Sequence, residues 1–143
     1  NISLPNLPEI SQGPFLNIQK QNKVALQYIR QLVIKTRSET ESTRNLSAGN
    51  QQKVNISKWR FHNSSILIMD DPTQSVDISS KVEIYNFMNK FVMEGGSIIF
   101  ISSDFEELCG MSDRILIMKN GRVTRTLSRP EFSDRNLITI LSE

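Results

Sequence analysis

Asn45-Leu46-Ser47-Ala48-Gly49-Asn50-Gln51-Gln52-Lys53, followed by Ser65-Ile66-Leu67-Ile68-Met69-Asp70-Asp71-Pro72-Thr73, decides the fold of this 143-residue chain. The first stretch predicts a loop that runs into a helix over 49–60. Helix starts present unpaired N–H groups and the positive end of the dipole, which favours an anion. The Ser47 hydroxyl adds a donor, and Gly49 lets backbone approach a ligand. The same residues also suit an ordinary Ser N-cap on a surface helix. The second stretch is a short apolar run, as in a strand covered on both faces, ending in two acids. Ligands of α/β proteins gather at that edge of a sheet. Asp70 there suits Mg²⁺, directly or through water, and Asp71 suits a base facing an attacking water. A plain Asp-Asp-Pro turn reads equally well. Together the two stretches read as two parts of a nucleotide-hydrolysing site. The third part, a glycine-rich loop with a Lys, does not occur in the 143 residues.

Outward from these stretches the pattern alternates. Pro5, Pro8, Gly13 and Pro14 predict loop over 1–16. Ala25, Tyr28, Ile29 and Leu32 fall on one face of a helix over 18–34, and 35–46 is polar loop. Ser80 with Glu83 reads as a capping box opening a helix whose apolar side carries Val82, Tyr85, Met88, Phe91 and Val92. Gly95-Gly96 ends it before a strand over 97–101. Ser103 with Glu106 opens a short helix, followed by a strand over 114–118, an Asn120-Gly121 hairpin turn, and a terminal helix over 129–143. The expected class is α/β, a helical first third followed by a largely parallel sheet with flanking helices and a C-terminal β-hairpin.

Composition narrows the function. Hydrophobic residues at 38% and charged residues at 22% suit a globular domain with a core. A net charge of +2 without a basic block gives no case for nucleic acid or a lipid surface. Cys109 stands alone, so no disulfide framework forms within the chain, and a reducing compartment is expected. No apolar run approaches the roughly 20 residues that span a bilayer, which predicts no direct membrane insertion. The chain opens at Asn1 in a polar segment, as expected of a piece of a longer protein. His62 and Asp77 read as a polar-turn residue and a helix-start residue.

These motifs resemble the ATP-binding cassette (ABC) family of transport ATPases, over nearly the whole chain. More narrowly they resemble the second nucleotide-binding half of the ribose, xylose, galactose and quorum-signal importers. The carriers are Leu46 to Lys53, with Asn50 where the family more often has Gln, together with Ile34-Lys35-Thr36, Ile101-Ser102-Ser103 and Gly110-Met111-Ser112-Asp113-Arg114-Ile115.

The resemblance implies an incomplete P-loop NTPase domain. Residues 1–60 would be part of the helical signature subdomain, 61–128 the Walker B, D-loop and switch part of the core, and 129–143 a terminal helix. The Walker A half would be missing, leaving apolar strand faces and a sheet edge uncovered. Leu46, Ser47, Ala48, Gly49 and Asn50 would form the signature motif, touching ATP bound to a partner. Asp70 would be the Walker B ligand of Mg²⁺, Asp71 would stand at the catalytic Glu position, Asp77 would close the D-loop, and Ser103 would occupy the switch-His position.

Three departures matter. Asp71 is one methylene short, a shift of about 1 Å that costs about a hundredfold where positioning matters. Ser103 does not titrate near neutrality. Ala48 adds a Cβ where the family usually has Gly. The resemblance therefore implies a chain that supports a partner's ATP site and hydrolyses little itself. The partners would be the first nucleotide-binding half or a second copy, and transmembrane permease subunits, at the cytoplasmic face of a bacterial inner membrane. Two other readings stand beside it: a truncated remnant that binds no ATP alone, and an ABC ATPase acting on DNA or ribosomes.

Overall fold

A computed structural model describes residues 1–132, which form two compact units, Asn1–Ile99 and the residues from Phe100 onward. The first unit opens with a 3₁₀ turn, Leu4–Ile10, where loop was expected, and a two-residue hairpin of β1 (Ser11–Gln12) and β2 (Phe15–Leu16). Helix α1 (Ile18–Gln31) follows, N-capped by Asn17, whose side chain accepts the Lys20 N–H. Tyr28 and Leu32 are buried along its apolar face, as the periodicity predicts.

α1 ends in a strained turn. Ile34 N–H reaches back five residues to Ile29 O at 2.9 Å, with Val33 at φ +50° between them. This is a Schellman-type cap, where the left-handed position normally belongs to Gly. A β-branched side chain there costs of order 1–2 kcal/mol.

Helix α2 (Ala48–Phe61) and strand β3 (Ile66–Asp70) come next, then α3 (Ile78–Met93) and β4 (Ser97–Ile101), which pairs with β3. α3 starts earlier than the Ser80–Glu83 box predicts. Asp77 is its N-cap, because that carboxylate takes the Ser80 N–H, and Ser80 lies inside the first turn. The buried stripe of α3 is Ser80, Ile84, Met88 and Phe91, while Val82 and Val92 are exposed. The helix turns toward α2 the side that carries its polar partners, Ser80 and Glu83.

Lys53 on α2 is fully buried. Its ammonium pairs with Glu83 of α3 and donates to Val33 O at 3.0 Å. At the other end of α2, Arg60 pairs with Glu94 at 2.8 Å and sits 5.4 Å from the Phe91 ring centre. Leu67 and Met69 of β3 point into the core, but Ile66 and Ile68 are 59% and 70% exposed. The strand expected to be covered on both faces is thus covered on one, in keeping with the uncovered apolar faces that the sequence also predicts.

In the second unit, α4 (Phe105–Met111) is capped by Asp104, one residue after the expected Ser103. β5 (Arg114–Lys119) and β6 (Arg122–Ser128) form the predicted antiparallel hairpin. Asn120 and Gly121 take φ +51° and +75°, as a type I′ turn requires. A 3₁₀ turn covers Arg129–Glu131, and the rest of the expected terminal helix lies outside the described residues.

Val33 is half-exposed, so its side chain gives up little burial on removal. Val33→Gly should therefore raise stability, by about 1 kcal/mol, in urea unfolding.

Candidate functional site

The start of α2 is built inward on one side and open on the other. Ser47 is its N-cap in extended conformation (φ −61°, ψ 158°), yet its side chain makes no cap bond to the helix backbone. The first return bond is Gln51 N–H to Ser47 O at 2.9 Å. Helix geometry leaves the Ala48, Gly49 and Asn50 amides ahead of it. Ser47 and Ala48 are exposed, Leu46 is half-buried, and Gly49 and Asn50 are buried.

Gly49 has a neighbour of its own. A Cβ at this position would lie 2.7 Å from Ser80 Oγ, 2.8 Å from Ser80 Cβ and 3.2 Å from an Asp77 carboxylate oxygen. The glycine is what lets α2 and the first turn of α3 touch, a role that the sequence reading gave to ligand approach. The Asn50 side chain is also used within the chain. Its Oδ1 accepts the Lys35 N–H at 2.9 Å and its Nδ2 donates to Ser47 Oγ at 2.8 Å.

Asp77 is exposed and well satisfied. Ser79 Oγ donates to it at 2.6 Å, and Ser80 N–H and Oγ each donate at 2.9 Å. These bonds, led by the one from Ser79, hold its carboxyl far below the usual carboxylate range. The start of α2 and the Asp77 cap of α3 thus meet through Gly49 and Ser80.

Asp70 is exposed at the end of β3. The chain then turns at Asp71, whose φ of +41° is unusual outside glycine. Pro72 and Thr73 are buried behind it, which anchors the turn. Among the described residues no group of three or more His, Cys, Asp or Glu is placed to hold a metal. Asp70 and Asp71, neighbours in sequence, supply oxygen ligands of the kind that Mg²⁺ takes while it keeps waters. A cavity of about 400 Å³ lies between α2 and β3, lined by Ile56, Trp59, Ile66, Ile68 and Asp70 among others.

Ser103 is exposed in the bend before α4, in the second unit. His62 is exposed, with Nδ1 3.1 Å from Pro5 O. Cys109 is half-buried on α4.

Lys53, Glu83 and Ser80 escaped the sequence reading as site residues. The signal was spacing: Lys53 follows Gly49 by four and Glu83 follows Ser80 by three, so each pair shares a helix face.

Comparison with known proteins gives a consistent picture. The family model described as "ABC transporter" matches residues 4–74. The chain is similar to the xylose import ATP-binding protein XylG of Thermoanaerobacter pseudethanolicus, 45% identical over 123 residues, covering 86% of this chain and 24% of that protein. It is 38% identical over 140 residues to the ribose import ATP-binding protein RbsA of Bacillus cereus, covering 98% of this chain and 28% of that protein. The chain thus spans about a quarter of the length of the curated relatives it matches. In fold it resembles the dimeric structure of a bacterial ABC transporter cassette, with a TM-score of 0.73 at 23% identity over 90% of this chain and 54% of that one.

Two substitutions separate packing from propensity. Gly49→Ala should destabilise by about 1–3 kcal/mol because its methyl has no room against Ser80. Gly110→Ala, on α4 with nothing within 4 Å of the added Cβ, should stabilise by about 0.5–1 kcal/mol. Urea titration reads both.

Asp77 gives a pH signature. Its folded pKa is depressed, so its contribution is fully present above the unfolded value and is lost as pH falls toward the folded one. The stability gap between wild type and Asp77→Ala should be flat above about pH 5 and shrink below about pH 4. A gap unchanged down to pH 2.5 contradicts the assignment.

Proposed function

Because the chain belongs to the ABC transporter family, we propose that it is part of the ATP-binding subunit of a sugar-type importer, and that its main task is to grip ATP bound to a partner cassette. The observation that carries this is the open start of α2. Ser47 and Ala48 face solvent, and the Ser47 side chain leaves the first helical amides uncapped. An exposed amide-lined turn of this kind accepts a phosphate oxygen through N–H and O–H donors.

Leu46 to Asn50 would form that lip. Asp70 would hold Mg²⁺, which when bound neutralises phosphate charge. Asp71 would be a weak base at the end of a strained turn, Asp77 would form the D-loop contact, and Ser103 would stand at the switch position without titrating. The partners would be the first nucleotide-binding half or a second copy, with permease subunits at the cytoplasmic face of a bacterial inner membrane. Within the described residues no helix is long and apolar enough to cross a membrane. The relatives' names support import of ribose, xylose or a similar sugar as the process served.

The test is ATP turnover by the complete transporter. Ser47→Ala should lower it about 10–100-fold, the worth of one charge-assisted hydrogen bond. Asp71→Asn should leave most of it, because hydrolysis would occur mainly at the partner's site. If Asp71→Asn abolishes turnover while Ser47→Ala leaves it intact, the proposal fails.

A further inference from the structure

The direction of every hydrogen bond around Asn50 is fixed by chemistry. The Lys35 backbone N–H can only donate, so the Asn50 atom 2.9 Å from it is the carbonyl Oδ1. The other end of the carboxamide is then the NH₂ group, 2.8 Å from Ser47 Oγ. An amide NH₂ has no lone pair to offer. Ser47 Oγ must therefore accept, and its single proton is left for a different acceptor. The Ser47 side chain makes no cap bond to the backbone of α2, and among the described residues its hydroxyl meets no acceptor. Ser47 is an exposed residue, whereas Asn50 is only 6% exposed and held from both ends.

We propose that Asn50 is a positioning residue: by donating to Ser47 Oγ, it holds that oxygen away from the α2 amides and turns the Ser47 hydroxyl proton outward, to donate to a phosphate oxygen of ATP. This rests on the trans-gripping role above. Without that bond Ser47 Oγ is free to turn onto its own helix start and accept an amide there, as Ser N-caps ordinarily do. Here the carboxamide removes that choice before the ligand arrives, so less orientation is lost on binding. The Lys35 amide that fixes the carboxamide lies two residues beyond Val33, whose carbonyl is held by buried Lys53. The orientation of an exposed hydroxyl is thereby tied to the interior of the first unit.

A double-mutant cycle on the complete transporter, read as the KM for MgATP in ATP turnover at pH 8, tests this. Asn50→Asp keeps the shape and the Lys35 acceptor, but replaces the NH₂ donor by an acceptor, so Ser47 would donate inward. It should raise the KM about tenfold or more with Ser47 present. In a Ser47→Ala background the same change should raise it by no more than about twofold. Asn50→Ala serves as the second variant should the carboxylate disturb folding, and its effect should likewise vanish without the Ser47 hydroxyl. An Asn50→Asp effect of equal size in both backgrounds would mean that charge alone acts, and would overturn the proposal while leaving the gripping role standing. A Ser47→Ala chain with unchanged KM and turnover would instead overturn the gripping role, and the proposal with it.

Discussion

The first unit depends on one buried cation. Lys53 has no exposed surface, in the middle of a helix whose other side carries a solvent-facing tryptophan, Trp59. Its ammonium joins three segments that are distant in sequence: the turn after α1 at Val33, α2 itself, and α3 at Glu83. A buried ion pair of this kind adds little net stability over an apolar replacement, but removing one partner leaves a charge that costs about 3–5 kcal/mol. The benefit lies in specification. Val33 is held at a left-handed φ that a β-branched residue resists, and the Lys53 ammonium grips its carbonyl. Strain of this kind persists only where the surroundings over-determine it.

From that clamp the geometry of the start of α2 follows. Gly49 lies one turn ahead of Lys53 on the same helix face, and its missing side chain lets Ser80 come within touching distance. Asn50 is one residue further on and reaches the amide that follows the strained turn. With Gly49 and Asn50 committed inward, Ser47 and Ala48 are the residues left for solvent. The division of the first turn of α2 into a packed half and an open half is thus a packing result, and the open half is where a phosphate is proposed to dock.

The parts legible in the sequence were those whose signals are local. Asn120-Gly121 needs two positive φ angles and takes them. The apolar spacing of Tyr28 and Leu32 names the buried side of α1. Leu46 to Lys53 and Ile66 to Asp71 mark a loop–helix and a strand–turn, and both are present. What escaped was set by contacts between segments. A lysine is normally an exposed residue, so nothing in composition announces Lys53 as core. Ser80 looked like a cap because Ser and Glu stand three apart, but the carboxylate of Asp77 is a stronger competitor for the same N–H. Val82 and Val92 belong to an apolar side of α3 that faces out, because the side with Glu83 and Ser80 is the one that meets α2. Gly49 was legible as a place of close approach, but its neighbour within the chain, Ser80, was not.

Amide hydrogen exchange in the Lys53→Met chain tests the clamp most directly. Methionine fills similar space but offers Val33 O no donor, so the Lys35 amide, held by Asn50 beyond that turn, should exchange at least about tenfold faster, equivalent to about 1.4 kcal/mol of local opening. Amides in the middle of α1 should keep the protection they have in the parent chain, relative to global unfolding. Unchanged protection at Lys35 would contradict the account, for it would show that the turn and the start of α2 hold their places without the buried cation.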